Sequence, residues 1–291
     1  MNLRQSLRGW LYSTPSVSMM CLLLFGPLVA MLFISLTDWQ LGQDSFSFVG
    51  LANFRTLFAD AVFMKSLRNT CVYVLLVVSG TVVLGLFVAL LLESSDTLKG
   101  FYRTVHFVPV MAAASAMAMV WGAMLHPTIG VFNRILQALG YENINWLRDE
   151  RTALAALVVI GIWQGFGYAM VLFISGLKAI PHGLYDAAEV DGADGMADRL
   201  RYVVLPMMGP VLMFVVIVTA VRAFSVFDTV RVLTAGGPNY STDVLLYRLY
   251  TESFDYLRTG YGAALTVVFL AIVVTLTLVQ AKVMDKRVHY S

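Results

Sequence analysis

Charge is scarce in this chain: only 13% of its 291 residues are charged, while 59% are hydrophobic. A soluble domain carries about 25% charged and about 45–50% apolar residues. So much apolar surface cannot all be hidden in a water-soluble core of this size, and the composition points to a chain solvated by lipid. The net charge of +2 offers no argument for nucleic acid binding. Cysteine is nearly absent. Cys21 and Cys71 sit in apolar surroundings, form no C-x-x-C pair and show no metal-ligand spacing, so they read as filler. No G-x-x-x-x-G-K-[ST] occurs, so the chain lacks a phosphate-cradling loop of its own. No Ser-His-Asp arrangement is supported. The histidines are scattered: His106 and His126 near ends of apolar runs, His182 in a loop and His289 at the tail. Each reads as a polar boundary residue. There is no low-complexity stretch, no appended soluble domain and no obvious inverted repeat of the kind secondary transporters carry.

Long apolar runs fill the space that charge leaves. A bilayer core about 30 Å thick needs about 20 apolar residues as helix. Candidate spans run over about 16–36, 69–92, 104–125, 153–175, 203–227 and 261–284. The expected fold is an all-α membrane protein with about six transmembrane helices, residues 1–291 forming a single transmembrane domain. The first run is too long for a signal-peptide core and no small-x-small site follows it, so a retained signal-anchor helix is expected. Arg4 and Arg8 precede the first span, and Lys282, Lys286 and Arg287 follow or end the last. With an even span count, the positive-inside rule then places both termini in the cytoplasm.

The inside loop 176–206 is the most informative segment. From Ile180 to Pro206 it reads as two short helices with a turn between them. Leu184, Ala187 and Ala188 fall at i, i+3, i+4 and make a narrow apolar stripe. Asp191-Gly192 is a turn signal. Asp194 can cap the second helix, with Asp198 in its first turn. A hairpin of small residues and carboxylates suits close docking of a partner; an ordinary solvated loop is the alternative on physical grounds alone.

The same segment resembles the EAA loop of permease subunits in bacterial binding-protein-dependent ABC importers. Ile180, Pro181, Leu184, Tyr185, Ala187, Ala188, Asp191, Gly192, Ala193, Leu205 and Pro206 match that pattern. Asp186 stands where the family usually has Glu, and Leu200 where Phe is common. Further matches resemble the carbohydrate branch of the family: Phe48-Val49-Gly50-Leu51-Ala52-Asn53-Phe54, Asn69-Thr70, Gly130 with Asn133, Trp146-Leu147, Trp163-Gln164-Gly165, Thr234-Ala235-Gly236-Gly237-Pro238 with Thr242, and Tyr261-Gly262-Ala263-Ala264-Leu265. The resemblance covers about residues 15–285. It implies the permease fold, a bacterial inner membrane location and a coupling loop around Tyr185, Asp186, Ala187, Ala188, Asp191, Gly192 and Ala193. It also implies a second related permease, two ATP-binding subunits and an external solute-binding protein as partners. The chain itself would bind no cofactor, ATP and magnesium belonging to the ATPase subunits, and would be a non-catalytic transport subunit.

A sugar site wants amides and aromatics. Gln164 and Tyr168 are i, i+4 and share a helix face, with Trp163 and Phe166 nearby. Helix packing is the competing reading, since Gly161 and Gly165 form a G-x-x-x-G. Arg222, a charge inside a span, is costly and usually faces a cavity or partner. It either reads an acidic or phosphorylated substrate, or pairs with a carboxylate such as Asp228 or snorkels. The leading function is thus sugar import, with glycerol 3-phosphate or another phosphorylated polyol as the alternative. An ion-coupled secondary transporter and a membrane-embedded enzyme are the rivals from other classes.

Overall fold

A computed structural model describes residues 3–94, 98–193 and 195–287. Asp194 and His289 lie outside the described residues. The helices are α1 (Leu3–Ile34), α2 (Ala52–Ala59), α3 (Ala61–Ser94), α4 (Lys99–Met111), α5 (Ala114–Met124), α6 (Val131–Ala138) and α7 (Ala153–Lys178). They continue as α8 (His182–Val190), α9 (Met196–Arg199), α10 (Leu205–Met207), α11 (Gly209–Phe224), α12 (Asp228–Leu233), α13 (Leu245–Tyr250) and α14 (Thr259–Arg287). Among the described residues, the strand-like pairing is one isolated antiparallel bridge, Thr37 with Phe48.

Among the described residues, five helical stretches are long and apolar enough to cross a membrane: Tyr12–Ile34, Ala61–Glu93, Ala153–Lys178, Gly209–Leu233 and Thr259–Lys282. The expected third span is not one rod. Its residues form α4 and α5, bent by 100° at the break, and a sixth crossing arises only if the pair counts as one. The cause is local. Pro109 inside α4 lacks the N–H that would continue the ladder, and Ala112 and Ala113 then adopt extended backbone. The fifth span also starts later than hydropathy suggests. Leu200–Val204 form a wide π-helical turn, and the straight run begins at Gly209 beside Pro210. The second span, α3, starts eight residues before the expected Asn69, at Ala61.

Contacts gather into two compact units. The first comprises Met1–Phe63 with Arg248–Ala271. Its centre is a charge cluster: Glu252, fully buried, takes a 2.8 Å ion pair from Arg248 and a second one from Arg258. Burial pushes the Glu252 carboxyl upward while the two guanidinium groups oppose the shift. Nearby, the Tyr261 hydroxyl donates to Asp60 at 2.8 Å. Burial alone would raise Asp60, but the Tyr261 hydroxyl and the Val62 N–H hold it below the usual carboxylate range. Removing one member of a buried pair strands its partner's charge. Glu252→Ala is therefore expected to cost about 3–5 kcal/mol, read as a lowered thermal midpoint of the solubilised protein; an unchanged midpoint would show that the cluster carries no stability.

The second unit comprises Met64–Tyr247 with Ile272–Ser291. Here α3 and α7 cross at close range because glycines line the seam. A Cβ on Gly85 would lie 2.8 Å from the Ala169 Cβ, and one on Gly161 would lie 2.6 Å from the Tyr73 hydroxyl. α4 seats on the other side of α7, where a Cβ on Gly167 would meet the His106 carbonyl oxygen at 1.9 Å. The largest core of this unit joins Ala89 and Leu92 of α3, Met170, Phe173 and Leu177 of α7, and Val203, Val204 and Met208 at the head of α11.

Candidate functional site: a docking knob and a polar cavity

The loop that follows Lys178 folds as α8, a turn and α9. α8 begins after Pro181, whose extended backbone sets its entry. Its end follows a Schellman pattern: the Ala193 N–H donates to the Ala188 carbonyl at 2.9 Å and the Gly192 N–H to the Glu189 carbonyl at 3.1 Å. That closure requires a residue with positive φ, and Gly192 supplies it at φ +89°. The apolar contact that accompanies such an end is present too, since Ala193 is buried and Ala188 half-buried. The Asp191-Gly192-Ala193 run thus has a mechanical reason. Arg199 of α9 reaches Glu189 at 2.9 Å, a solvent-exposed tie of small energy.

Of the apolar stripe Leu184, Ala187 and Ala188, one member packs on the large core, beside Tyr185. Tyr185 and Ala188 rest against the large core, while Leu184, Asp186 and Ala187 stay exposed. Tyr185 is the root of the knob. Its burial, with the Glu93 carboxylate nearby, pushes the phenol above its ordinary range. Glu93 in turn holds Arg103 of α4 at 3.4 Å. Between α8 and the α9–α10 segment an open cavity of about 660 Å³ is lined by Leu184, Ala187, Asp191, Asp198, Tyr202 and Met207, among others.

A second cavity, of about 220 Å³, lies within the helices of the second unit. It gathers Gln164 and Tyr168 of α7, Arg222 of α11, Tyr73 and Thr81 of α3, Val110 and Ala114 beside the α4–α5 break, and Asp228 and Thr229 of α12. Three of the four candidate contact residues therefore share one space. Gly161 and Gly165 line it as well as packing against α3, so packing and cavity are two uses of the same helix face. Trp163 stands apart: it meets Trp121 edge-on at 5.4 Å, in a cluster with Leu125, Ala156 and Ile160. Phe166 is buried and meets His106 edge-on at 5.6 Å. The expected pairing of Arg222 with Asp228 does not form. Instead the guanidinium stacks over the Tyr168 ring, 4.1 Å from its centroid.

The remaining motif residues fasten loops. Asn53 donates to the carbonyls of Ser35 (2.9 Å) and Thr37 (2.8 Å). Asn69 donates to those of Tyr240 (2.8 Å) and Asp243 (3.0 Å), and the Thr70 hydroxyl accepts from the Leu245 N–H at 2.9 Å. The Thr242 hydroxyl donates to the Gly237 carbonyl at 2.6 Å and lies 2.8 Å from the Thr234 hydroxyl oxygen, closing the Thr234–Thr242 turn on itself. Asn133 both donates to the Ile144 carbonyl (2.9 Å) and accepts from its N–H (3.0 Å). Lys65, which sequence reasoning passed over, donates to the Asn239 carbonyl at 2.6 Å. Nothing local signalled it, since its partner is 174 positions away. Among the described residues, no group of three or more His, Cys, Asp or Glu could hold a metal ion.

Comparison with known proteins gives a consistent result. Residues 81–290 match the family described as binding-protein-dependent transport system inner membrane component. The chain is 32% identical over 270 residues to a probable ABC transporter permease protein of Pyrococcus horikoshii, covering 92% of each. It is 33% identical over 284 residues to the sn-glycerol-3-phosphate transport system permease protein UgpA of Agrobacterium fabrum, covering 97% of this chain and 96% of that one. Among solved structures, a chain of a bacterial ABC transporter involved in the import of the acidic polysaccharide alginate superposes with TM-score 0.84 at 19% identity. That match covers 97% of this chain and 98% of that one, and it shows a shared fold.

Proposed function

The chain belongs to the binding-protein-dependent transport system inner membrane components, and from that membership we propose that it is one of two permease subunits in an ATP-driven importer of a sugar or sugar-like solute. An external binding protein delivers the solute. Two ATP-binding subunits, which hold ATP and magnesium, supply the motion, and this chain performs no catalysis itself. Both termini lie on the cytoplasmic side with α8. The observation that carries the reading is the build of α8: Leu184, Asp186 and Ala187 are exposed, while Tyr185 and Ala188 root the helix in the core that α3, α7 and the head of α11 share. A load on the knob is passed to those helices because interiors are close-packed and deform little.

The solute passes through the cavity of Gln164, Tyr168 and Arg222. A phosphorylated polyol such as glycerol 3-phosphate is the second reading. The guanidinium at that cavity favours it, and the UgpA relatives carry that solute in their name. The test is reconstitution of the chain with its companion permease, ATPase and binding protein in liposomes. Solute accumulation is expected only with ATP and binding protein together. Accumulation driven by an ion gradient without the ATPase would replace this reading with a secondary transporter.

A further inference from the structure

Four arginines among the described residues pair with carboxylates: Arg103 with Glu93, Arg199 with Glu189, and both Arg248 and Arg258 with Glu252. Arg222 differs. It lies in the apolar run Gly209–Leu233, where an unneutralised charge is expensive and marks function by default. Its described neighbour is the π face of Tyr168. A guanidinium held over a ring face keeps N–H donors in a fixed fork, and Arg222 lines the cavity. That fork matches the two oxygens of a carboxylate or phosphate.

The rest of the lining suits hydroxyls. Gln164 and Asp228 offer acceptor oxygens, and the Thr81 hydroxyl, 1% exposed as a residue, has no hydrogen-bond partner. Asp228 lines the same cavity as Arg222, and no ion pair joins the two among the described residues. At about 220 Å³ the cavity falls below the range of about 300–1,000 Å³ that holds drug-sized ligands.

We propose, building on the reading of this cavity as the solute path, that the solute is a small polyol bearing one anionic group, a phosphate ester or a carboxylate. The Arg222 edge, presented by Tyr168, holds the anion, while Gln164, Thr81 and Asp228 take the hydroxyls. Arg222 is then the residue that separates charged solutes from neutral ones.

The experiment measures ATP-driven uptake by the reconstituted full complex. Labelled sn-glycerol 3-phosphate, glucose 6-phosphate and galacturonate are compared with glycerol, glucose and galactose. The unmodified complex is expected to prefer one of the anions, and which anion it is distinguishes phosphate from carboxylate. In Arg222→Gln the ratio of anionic to neutral uptake falls roughly ten- to hundred-fold, the loss of a charged hydrogen-bond pair. Arg222→Lys, which keeps the charge and loses the fork, gives an intermediate ratio. The binding protein is common to all three complexes, so the change in ratio belongs to the permease. Equal loss of both solute types in Arg222→Gln, an unchanged ratio, or an unmodified complex that carries only neutral solutes overturns the proposal. An unmodified complex that moves no probe with ATP overturns the import reading and this one with it.

Discussion

Gly167→Val is expected to yield almost no folded protein, and Gly167→Ala to destabilise by about 3 kcal/mol or more. Overpacking a core usually costs about 1–3 kcal/mol because side chains can shift out of the way. Here the obstacle is backbone. The added carbon would stand 1.9 Å from the His106 carbonyl oxygen and 2.8 Å from its carbon, and neither can rotate aside without moving α4. Gly165 on the same helix gives the contrast. Its Cβ would meet only Thr81, at 3.4 Å, and alanine is favoured over glycine in a helix by about 1 kcal/mol. Gly165→Ala is expected to fold normally. The measurements are the yield of monodisperse protein in detergent and its thermal midpoint. A Gly167→Ala midpoint within about 2 °C of the unmodified protein would mean that α4 does not seat on α7.

Ala187→Trp is expected to abolish ATP-driven uptake while leaving the isolated permease intact. Ala187 is exposed on the knob, so on the proposed reading a large side chain there meets solvent in the free chain and the ATPase in the complex. A docked surface holding an indole in place of a methyl group loses close approach. A loss of 1.4 kcal/mol already weakens association tenfold, and a misfit at the centre of a small contact costs more. Ala188→Trp separates docking from folding. Ala188 packs on the core beside Tyr185, so its enlargement is expected to lower the yield of the permease itself. Co-purification of the ATPase with each variant, scored beside permease yield, checks both. Normal uptake by Ala187→Trp would remove α8 as the contact through which force enters.

How much of this was legible in the sequence depended on the kind of signal. Hydropathy located the membrane crossings because the average over a window ignores details of backbone direction. For that same reason it ran straight through Ala112 and Ala113, where the chain turns by 100°; Pro109 ahead of three alanines was the available cue. The Asp191-Gly192 turn was readable because the requirement for positive φ is local. The helix-face argument joined Gln164 to Tyr168 correctly, since i, i+4 positions share a face. Trp163, one position away, points into a different cluster. The apolar stripe of α8 included Ala188, which packs, but hydrophobicity alone did not mark Tyr185, amphipathic and outside the stripe, as packing beside it. The roles of Asn69, Asn133 and Lys65 could not be read, because their partners are backbone carbonyls set by tertiary folding. Asp228, one of the alternatives for Arg222, shares its cavity, but the guanidinium lies over the Tyr168 ring instead.

The loop-fastening amides have a mechanical consequence. Asn69, Asn133 and Thr242 each tie a turn with two or three hydrogen bonds, so the segments joining the helices of the second unit have little slack. A linkage with compliant joints absorbs a stroke before delivering it, whereas a stiff one spends the stroke on its output. Displacement entering at one end of such a bundle therefore arrives as helix movement and not as loop deformation.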